Sequence, residues 1–176
     1  MAAEIILVTG AARSGKSRYA EERARELGAR RLYIATAEPN DAEMRQRIEE
    51  HKRLRGNDWA TVEEPLQLAE TLLEQRGQTD CALVDCLTLW LSNLVLRYNA
   101  TDAQEKVKHF MQTTGQLDFH LVLVTNEVGW GIVPDNLLAR QFRDLSGWAN
   151  QRIAAAANQV VLIVAGLPMI VKSGIV

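Results

Sequence analysis

The eight residues GAARSGKS, at positions 10–17, restrict the possible folds of this chain more than any other segment. They match the pattern G-x-x-x-x-G-K-[ST] and lie between a short apolar run, residues 5–9, and a stretch with helical spacing, residues 16–27. A strand, a glycine-rich loop and a helix in this order place backbone N–H groups and a helix N-terminus around phosphate oxygens. The sequence therefore predicts a phosphate-binding loop (P-loop). The residues expected to contact a nucleotide there are Gly10, Ala11, Ala12, Arg13, Ser14, Gly15, Lys16 and Ser17.

Two side chains of the loop have the chemistry that a nucleoside triphosphate and Mg²⁺ require. Lys16 brings a positive charge toward the β- and γ-phosphates, and the hydroxyl of Ser17 is placed to bind Mg²⁺. A second Mg²⁺ partner is predicted at Asp85, which ends the apolar run CALVD and should project near the P-loop. The alternative role for Asp85 is to cap the helix that follows it.

Short apolar runs alternate with longer stretches of helical spacing along the chain. The runs predicted as strands are residues 5–9, 31–35, 82–85, 121–125 and 160–165. The stretches predicted as helices are residues 16–27, 42–55, 66–76, 87–98 and 137–157, the last of which is either continuous or broken near Gly147. This order predicts an α/β fold of the three-layer P-loop NTPase type, in which a mostly parallel, RecA-like sheet has helices on both faces. Ligands of such sheets bind beyond the carboxyl ends of the strands.

The composition limits the size of the protein and its partners. With 176 residues, 47% of them hydrophobic, the chain is expected to form a single nucleotide-binding domain, residues 1–176. A formal net charge of −2 provides no overall positive field for nucleic acid or anionic lipid. No apolar stretch approaches the roughly 18 residues of a membrane span. We therefore expect a cytoplasmic protein that has no integral membrane segment and binds no nucleic acid.

A histidine surrounded by basic residues lies in the second predicted helix, for which Asn40 is the expected N-cap. Arg47, His51 and Arg55 recur at i, i+4 and i+8, which places them on one face of the helix. Lys52 lies beside them. Such cations favour the neutral imidazole, whose ring nitrogen could attack a phosphorus atom, and they would neutralise charge on the phosphate oxygens.

An ordinary charged surface is the competing interpretation of the same helix. Glu49 and Glu50 are interleaved with the basic residues and could pair with them in water. The spacing of the residues leaves both interpretations open.

Polar residues also follow the fourth predicted strand, in the segment HLVLVTNEVGWGIVPDN. Three roles for Glu127 remain open: contact with a metal-bound water, a base toward a substrate hydroxyl, or acceptance of backbone N–H groups that fix the loop. Trp130 stands between two glycines and either packs under the loop or is exposed to an aromatic or large apolar ligand. Burial of Trp130 is the favoured expectation.

Taken together, these segments resemble the bifunctional adenosylcobinamide kinase / adenosylcobinamide-phosphate guanylyltransferase family of cobalamin biosynthesis. The resemblance extends over nearly the whole chain. It is carried by LVTGAARSGKS, YIAT, RIEEHKRLR followed by WATVEEP, DCLTLWLSNL, VTNEVGWGIVP and ARQFRDLSGWANQRIAAAA. The VTNEVG-x-GIVP segment and the R-I-x-x-H-K run, at these separations, are far more selective than a P-loop alone.

The resemblance implies two reactions. Adenosylcobinamide is first phosphorylated on its aminopropanol hydroxyl by ATP or GTP. GMP is then transferred from GTP to adenosylcobinamide phosphate through a covalent GMP-histidine, which gives adenosylcobinamide-GDP and pyrophosphate. The implied cofactor is Mg²⁺, and the implied assembly is a homo-oligomer, expected to be a trimer.

Carried over position by position, the resemblance implies that His51 is the nucleophile. Lys16, whose role follows from the P-loop motif, is the second residue to which we assign a catalytic role. Lys52 and Arg55 would flank the phosphorus under attack. Further nucleotide contacts are implied at Ala35, Thr36, Glu63 and Asp85.

Two positions depart from the family pattern. Ala11 stands where the family loop often has a glycine, and Glu50 precedes His51 where some members have another histidine. Ala11 would restrict the loop if its position required a positive φ. Neither departure removes a group that the implied mechanism requires.

Overall fold

The computed structural model describes residues 3–39, 41–56 and 58–174, except for the side chains of Arg47, His51, Leu54 and Arg55. The strands in this part of the chain are β1 (Ile5–Gly10), β2 (Arg31–Ala35), β3 (Ala60–Glu63), β4 (Cys81–Asp85), β5 (His120–Val124), β6 (Gln159–Val164) and β7 (Leu167–Lys172). The helices are α1 (Lys16–Leu27), α2 (Ala42–Arg55), α3 (Leu68–Glu74), α4 (Leu87–Arg97), α5 (Ala100–Thr114) and α6 (Leu137–Ala156).

These strands form one sheet in the order β3-β2-β4-β5-β1-β6-β7. Every neighbouring pair is parallel except β6 and β7, which are antiparallel. The register aligns Ala35 with Asp85 and Asp85 with Val124, so the carboxyl ends of β2, β4 and β5 are level. The predicted mostly parallel α/β sheet is confirmed. The P-loop leaves β1 at the same edge, between β5 and β6.

Side chains of the central strands enter two cores, one on each face of the sheet. In β1, Leu7 packs into the core that contains α3, α4, α5 and α6, whereas Ile6 and Val8 pack into the core that contains α1. All three residues are at most 2% exposed. Burial of each such side chain contributes roughly 1.5–3 kcal/mol. Because both faces are covered, the strands are apolar at nearly every position.

Helix α2 belongs to neither core. None of its described side chains is buried, and only Met44 and Ile48 are half-buried. Its N-cap is Asp41, whose carboxylate accepts a hydrogen bond from the Met44 N–H at 2.7 Å. The cap predicted from the sequence, Asn40, lies outside the described residues. Little packing therefore holds α2 in place.

The structure differs from the sequence prediction at several element boundaries. Strands β3 and β7 and helix α5 were not predicted as such. The third helix begins at Leu68 rather than at residue 66, because the Glu64 carboxylate accepts the N–H groups of Leu66 and Gln67 at 2.7 Å each. Helix α6 runs without interruption through Gly147. No described helix has both the length and the apolar character needed to cross a membrane.

Candidate nucleotide-binding and catalytic site

The conformation of the P-loop is fixed by contacts with strand β6. Gly10 has φ +146° and Arg13 has φ +56°. A Cβ atom at Gly10 would lie 2.5 Å from the carbonyl oxygen of Ile163, so β6 passes too close to admit a larger residue. The Gly166 N–H, in the turn between β6 and β7, donates to the Ser14 carbonyl at 2.9 Å. Strand β6 and its turn thus support the loop from one side.

Ala11 does not require a positive φ. Among the non-glycine residues that the structure describes, positive φ values occur at Arg13 and Ala165. The other left-handed positions of the loop are Gly10 and Gly15. The departure from the family pattern at Ala11 therefore causes no backbone strain.

Lys16 lies against the inside of the loop. The residue is 6% exposed. Its Nζ donates to the Ala11 carbonyl at 2.5 Å and lies 3.5 Å from Ser14 Oγ. Helix α1 begins at Lys16 with Gly15 as its N-cap, so the positive end of the helix dipole lies at the same point. The loop thus combines an ammonium group with a helix N-terminus, the arrangement that binds the phosphates of a nucleotide.

Asp85 occupies the carboxyl end of β4, two strands from β1. Two strand intervals correspond to about 10 Å, a separation that water molecules bound to a metal can bridge. Its Oδ2 accepts a hydrogen bond from the Tyr33 hydroxyl at 3.1 Å. The N-cap of α4 is Cys86 rather than Asp85, which argues against the capping alternative.

Thr36 holds the carboxyl ends of β2 and β4 together. The residue is fully buried. Its hydroxyl donates to the Cys86 carbonyl at 2.7 Å and accepts from the Cys86 N–H at 2.9 Å. Its own carbonyl accepts from Asn93 Nδ2 at 2.9 Å. The geometry makes Thr36 a positioning residue, and the contact with nucleotide predicted for Thr36 and the neighbouring half-buried Ala35 stays a prediction.

Glu127 links the loop after β5 to the start of the P-loop. Its Oε1 accepts a hydrogen bond from the Thr9 hydroxyl at 2.7 Å, and its N–H donates to the Gly10 carbonyl at 3.1 Å. Of the three roles left open by the sequence, these contacts favour the structural one. The loop that Glu127 fixes is the P-loop, whereas the sequence analysis expected it to fix its own loop after β5.

A polar network that the sequence analysis missed anchors the same segment to α4 and α6. Thr88 Oγ1 accepts the Asn126 N–H at 2.7 Å and lies 3.4 Å from Thr125 Oγ1. The Thr125 hydroxyl donates to Asn150 Oδ1 at 3.0 Å. The run of polar residues after β5 was visible in the sequence. Their hydrogen-bond partners could not be identified from it, because these lie 24 to 38 residues away in the chain.

Two of the predicted nucleotide contacts meet at the far side of the sheet. Lys52 Nζ, on α2, lies 2.5 Å from Glu63 Oε1 at the carboxyl end of β3. The two side chains are 46% and 58% exposed, so this ion pair stabilises the position of α2 by only about 0.2–1 kcal/mol. His51 precedes Lys52 in the chain, and the roles predicted for the side chains of His51 and Arg55 lie outside the described residues. Strand β3 is four strand intervals from β1, about 19 Å.

The prediction that Trp130 is buried is wrong. Trp130 is 75% exposed, and Ile132 and Val133 are 97% and 56% exposed. A Cβ atom at either flanking glycine, Gly129 or Gly131, would have no atom within 4 Å. The apolar side chains of this loop therefore extend into solvent instead of packing beneath it.

Comparison with known proteins assigns the chain to a family. Residues 6–171 match the family model described as cobinamide kinase / cobinamide phosphate guanyltransferase. The chain belongs to this family. The bifunctional adenosylcobalamin biosynthesis protein CobP of Pseudomonas aeruginosa is 46% identical over 166 residues, which cover 94% of this chain and 96% of that protein. The bifunctional adenosylcobalamin biosynthesis protein CobU of Escherichia coli is 40% identical over 181 residues, which cover 96% and 99%.

The family resemblance inferred from the motifs is thereby confirmed, and the chain is a kinase and a nucleotidyltransferase. Solved structures support the fold alone. A Pyrococcus horikoshii OT3 protein superimposes with a TM-score of 0.56 at 12% identity and covers 97% of this chain and 86% of that one. The RadB recombinase superimposes with a TM-score of 0.51 at 9% identity, with 90% and 73% covered. The RecA-like architecture is therefore confirmed.

Proposed function

We propose that this chain phosphorylates the aminopropanol hydroxyl of adenosylcobinamide with ATP or GTP and then transfers GMP from GTP to the new phosphate. The products of the second step are adenosylcobinamide-GDP and pyrophosphate. The observation that carries the proposal is the family match over residues 6–171, which includes both the P-loop with its buried Lys16 and the helix that bears His51.

In the kinase step, the P-loop and the N-terminus of α1 bind the triphosphate. Lys16 stabilises the charge that develops on the β- and γ-phosphate oxygens as the substrate hydroxyl attacks. Ser17 and Asp85 offer a hydroxyl and a carboxylate oxygen, hard donors of the kind that Mg²⁺ prefers, and Mg²⁺ usually takes only one or two protein ligands beside phosphates and water. When bound, Mg²⁺ would supply further positive charge at the phosphates.

In the guanylyl step, an unprotonated ring nitrogen of His51 attacks the α-phosphorus of GTP. A P–N bond forms, the bond from the α-phosphorus to the bridging oxygen breaks, and pyrophosphate leaves with the electron pair. A phosphate oxygen of adenosylcobinamide phosphate then attacks the same phosphorus and displaces His51. Lys52 and Arg55 would offset the negative charge of the phosphates during both displacements.

The guanylyl step requires α2 to move toward the P-loop when nucleotide binds. Lys52, next to His51, is held at β3, about 19 Å across the sheet from β1. Support for such motion comes from the lack of any buried side chain among the described residues of α2. A GTP-bound structure in which α2 keeps its packing and His51 stays far from every phosphorus would contradict this step.

The proposal is tested by incubating the protein with Mg²⁺ and GTP labelled with ³²P at the α-phosphate, followed by denaturing electrophoresis. We expect a covalent label that acid removes and alkali does not, because phosphoramidates have this stability. His51→Ala should abolish the label. His109→Ala is the matched control, since His109 is half-exposed and lies 3.3 Å from Glu70 on the outer helices. Label retained in His51→Ala, or absent from a folded wild type that binds GTP, would refute the histidine intermediate.

We also propose that the protein works in the cytoplasm as a trimer. Support for self-association comes from the edge strand β7, on which Leu167, Met169, Ile170 and Val171 are 50–71% exposed. Exposed apolar edge strands are commonly covered by another subunit. Sedimentation equilibrium that gives the mass of a monomer at micromolar concentration would rule out the trimer.

A further inference from the structure

We propose that the tip of the loop between β5 and α6, formed by Trp130, Ile132 and Val133, binds the apolar part of the corrinoid macrocycle. This inference rests on the proposed function, which requires a corrinoid acceptor. The three side chains are 75%, 97% and 56% exposed. An indole and two branched aliphatic groups that share a solvent-exposed tip form a surface suited to a broad, flat ligand with apolar faces.

The position of the loop tip matches the chemistry. Glu127 hydrogen-bonds to Thr9 and Gly10, so the base of the loop touches the first residue of the P-loop. Trp130 is three residues further along, a distance of at most about 11 Å even for an extended chain. A macrocycle seated on the tip therefore lies close enough for an arm at its edge to bring a hydroxyl to the terminal phosphate.

Both ends of the loop are held firmly. At the first end, the Asn126 N–H donates to Thr88 Oγ1 at 2.7 Å. At the second end, Arg140 Nη1 donates to the carbonyls of Pro134 at 3.0 Å and Asp135 at 2.7 Å. The apolar tip is thus presented to solvent by a braced loop, which lowers the entropy cost of binding a rigid ligand.

Three other arrangements fit the structure less well. The first is binding of the macrocycle in a cavity of about 560 Å³ that is lined in part by Arg31, Trp59 and Gln78. This cavity lies at the amino ends of the strands, at the opposite edge of the sheet from the P-loop and therefore from the bound phosphates. A bilayer is disfavoured because Asp135 adjoins the tip and the chain carries a net charge of −2. A second copy of the chain is disfavoured because three side chains supply well under the roughly 800 Å² that each partner of a standard interface buries.

The test measures equilibrium binding of adenosylcobinamide by dialysis, with the corrin absorbance as the signal, in the presence of a non-hydrolysable GTP analogue. Trp130→Ala should weaken binding about tenfold or more, and Ile132→Ser should also weaken it, whereas Trp130→Phe should stay within about threefold of wild type. Leu96→Ala, at a 63% exposed leucine on the surface of α4, is the control and should leave affinity unchanged. Binding of the GTP analogue reports that each variant is folded.

Each outcome separates this inference from the proposed function. Unchanged corrinoid affinity in both Trp130→Ala and Ile132→Ser would overturn the inference alone. A wild type that binds the GTP analogue but no adenosylcobinamide would overturn the proposed function, and the inference with it. Trp130→Ala could also lose corrinoid affinity because the oligomer dissociates, which sedimentation would detect. In that case the tip contacts a second copy and the inference is wrong.

Discussion

Replacement of Gly10 by alanine tests whether the close approach of β6 fixes the P-loop. The new Cβ would lie 2.5 Å from the Ile163 carbonyl oxygen. This is 0.5 Å shorter than 3.0 Å, the distance below which Cβ atoms in proteins are essentially never found. That oxygen belongs to a strand paired with β1, so it cannot rotate away. Overpacking of this kind costs about 1–3 kcal/mol, and an L-residue at φ +146° adds about 1 kcal/mol of backbone strain. We expect a loss of about 3 kcal/mol, or roughly 6–12 °C in Tm for a chain of this length.

The measurement is thermal unfolding without nucleotide, since a bound ligand would add its own stabilisation. Gly77→Ala is the matched control. Gly77 also has a positive φ, +73°, but no atom lies within 4 Å of a Cβ built there. This control should lose only the strain contribution, about 1 kcal/mol or roughly 2–4 °C. Equal losses in the two variants would show that contact with Ile163 does not constrain the loop.

Three further predictions concern groups outside the P-loop. Hydrogen bonds from Arg30 lower the pKa of Asp80 to about 2. The ionised carboxylate therefore stabilises the fold above about pH 4, and this stabilisation is lost as the pH falls toward 2. Between pH 5 and pH 2.5, the free energy of unfolding measured with urea should change less in Asp80→Asn than in the wild type. Burial raises the pKa of Cys81 to about 12 and of Cys86 to about 11, so iodoacetamide at pH 8 should modify neither thiol until urea unfolds the protein; rapid labelling of the native state, seen by mass spectrometry, would contradict this. Thr36→Val should lower the free energy of unfolding by about 1–3 kcal/mol, because the buried Cys86 N–H and carbonyl lose their shared partner; Thr36→Ser, which keeps the hydroxyl, should lose less, and equal losses would argue against the hydrogen bonds.

The parts of the fold that the sequence predicted well are those with local signals. The bounds of α1 and α2 agree with prediction because a glycine, a capping residue or a change in periodicity marks each end. Strand β3 has four residues of which only Val62 is partly buried, so it shows no apolar run. Strand β7 is apolar but carries Pro168, and a proline within an apolar run weakens the sequence signal for a strand.

The contacts that shape the site depend on tertiary structure, so the sequence could not reveal them. Thr9 and Glu127 are 118 residues apart in the chain and meet only because β5 pairs with β1. The family resemblance implied that Thr36 contacts nucleotide, and the structure adds Cys86 as the partner of its hydroxyl. Trp130 was misjudged because burial is the usual state of tryptophan, whereas here the loop around it is held by its two ends.

The width of the sheet separates the P-loop from the resting position of helix α2. The P-loop and the ion pair of Lys52 with Glu63 lie four strand intervals apart, about 19 Å, so the proposed attack of His51 on the α-phosphorus would require α2 to leave this resting contact. The exposed ion pair is worth at most about 1 kcal/mol, which shifts an equilibrium only about fivefold. A nucleotide bound with micromolar affinity provides about 8 kcal/mol of binding free energy, so a small differential contact with Lys52 or His51 suffices to move α2. In the proposed mechanism, the weak packing of α2 is what would permit His51 to reach the α-phosphate of a nucleotide bound at the P-loop.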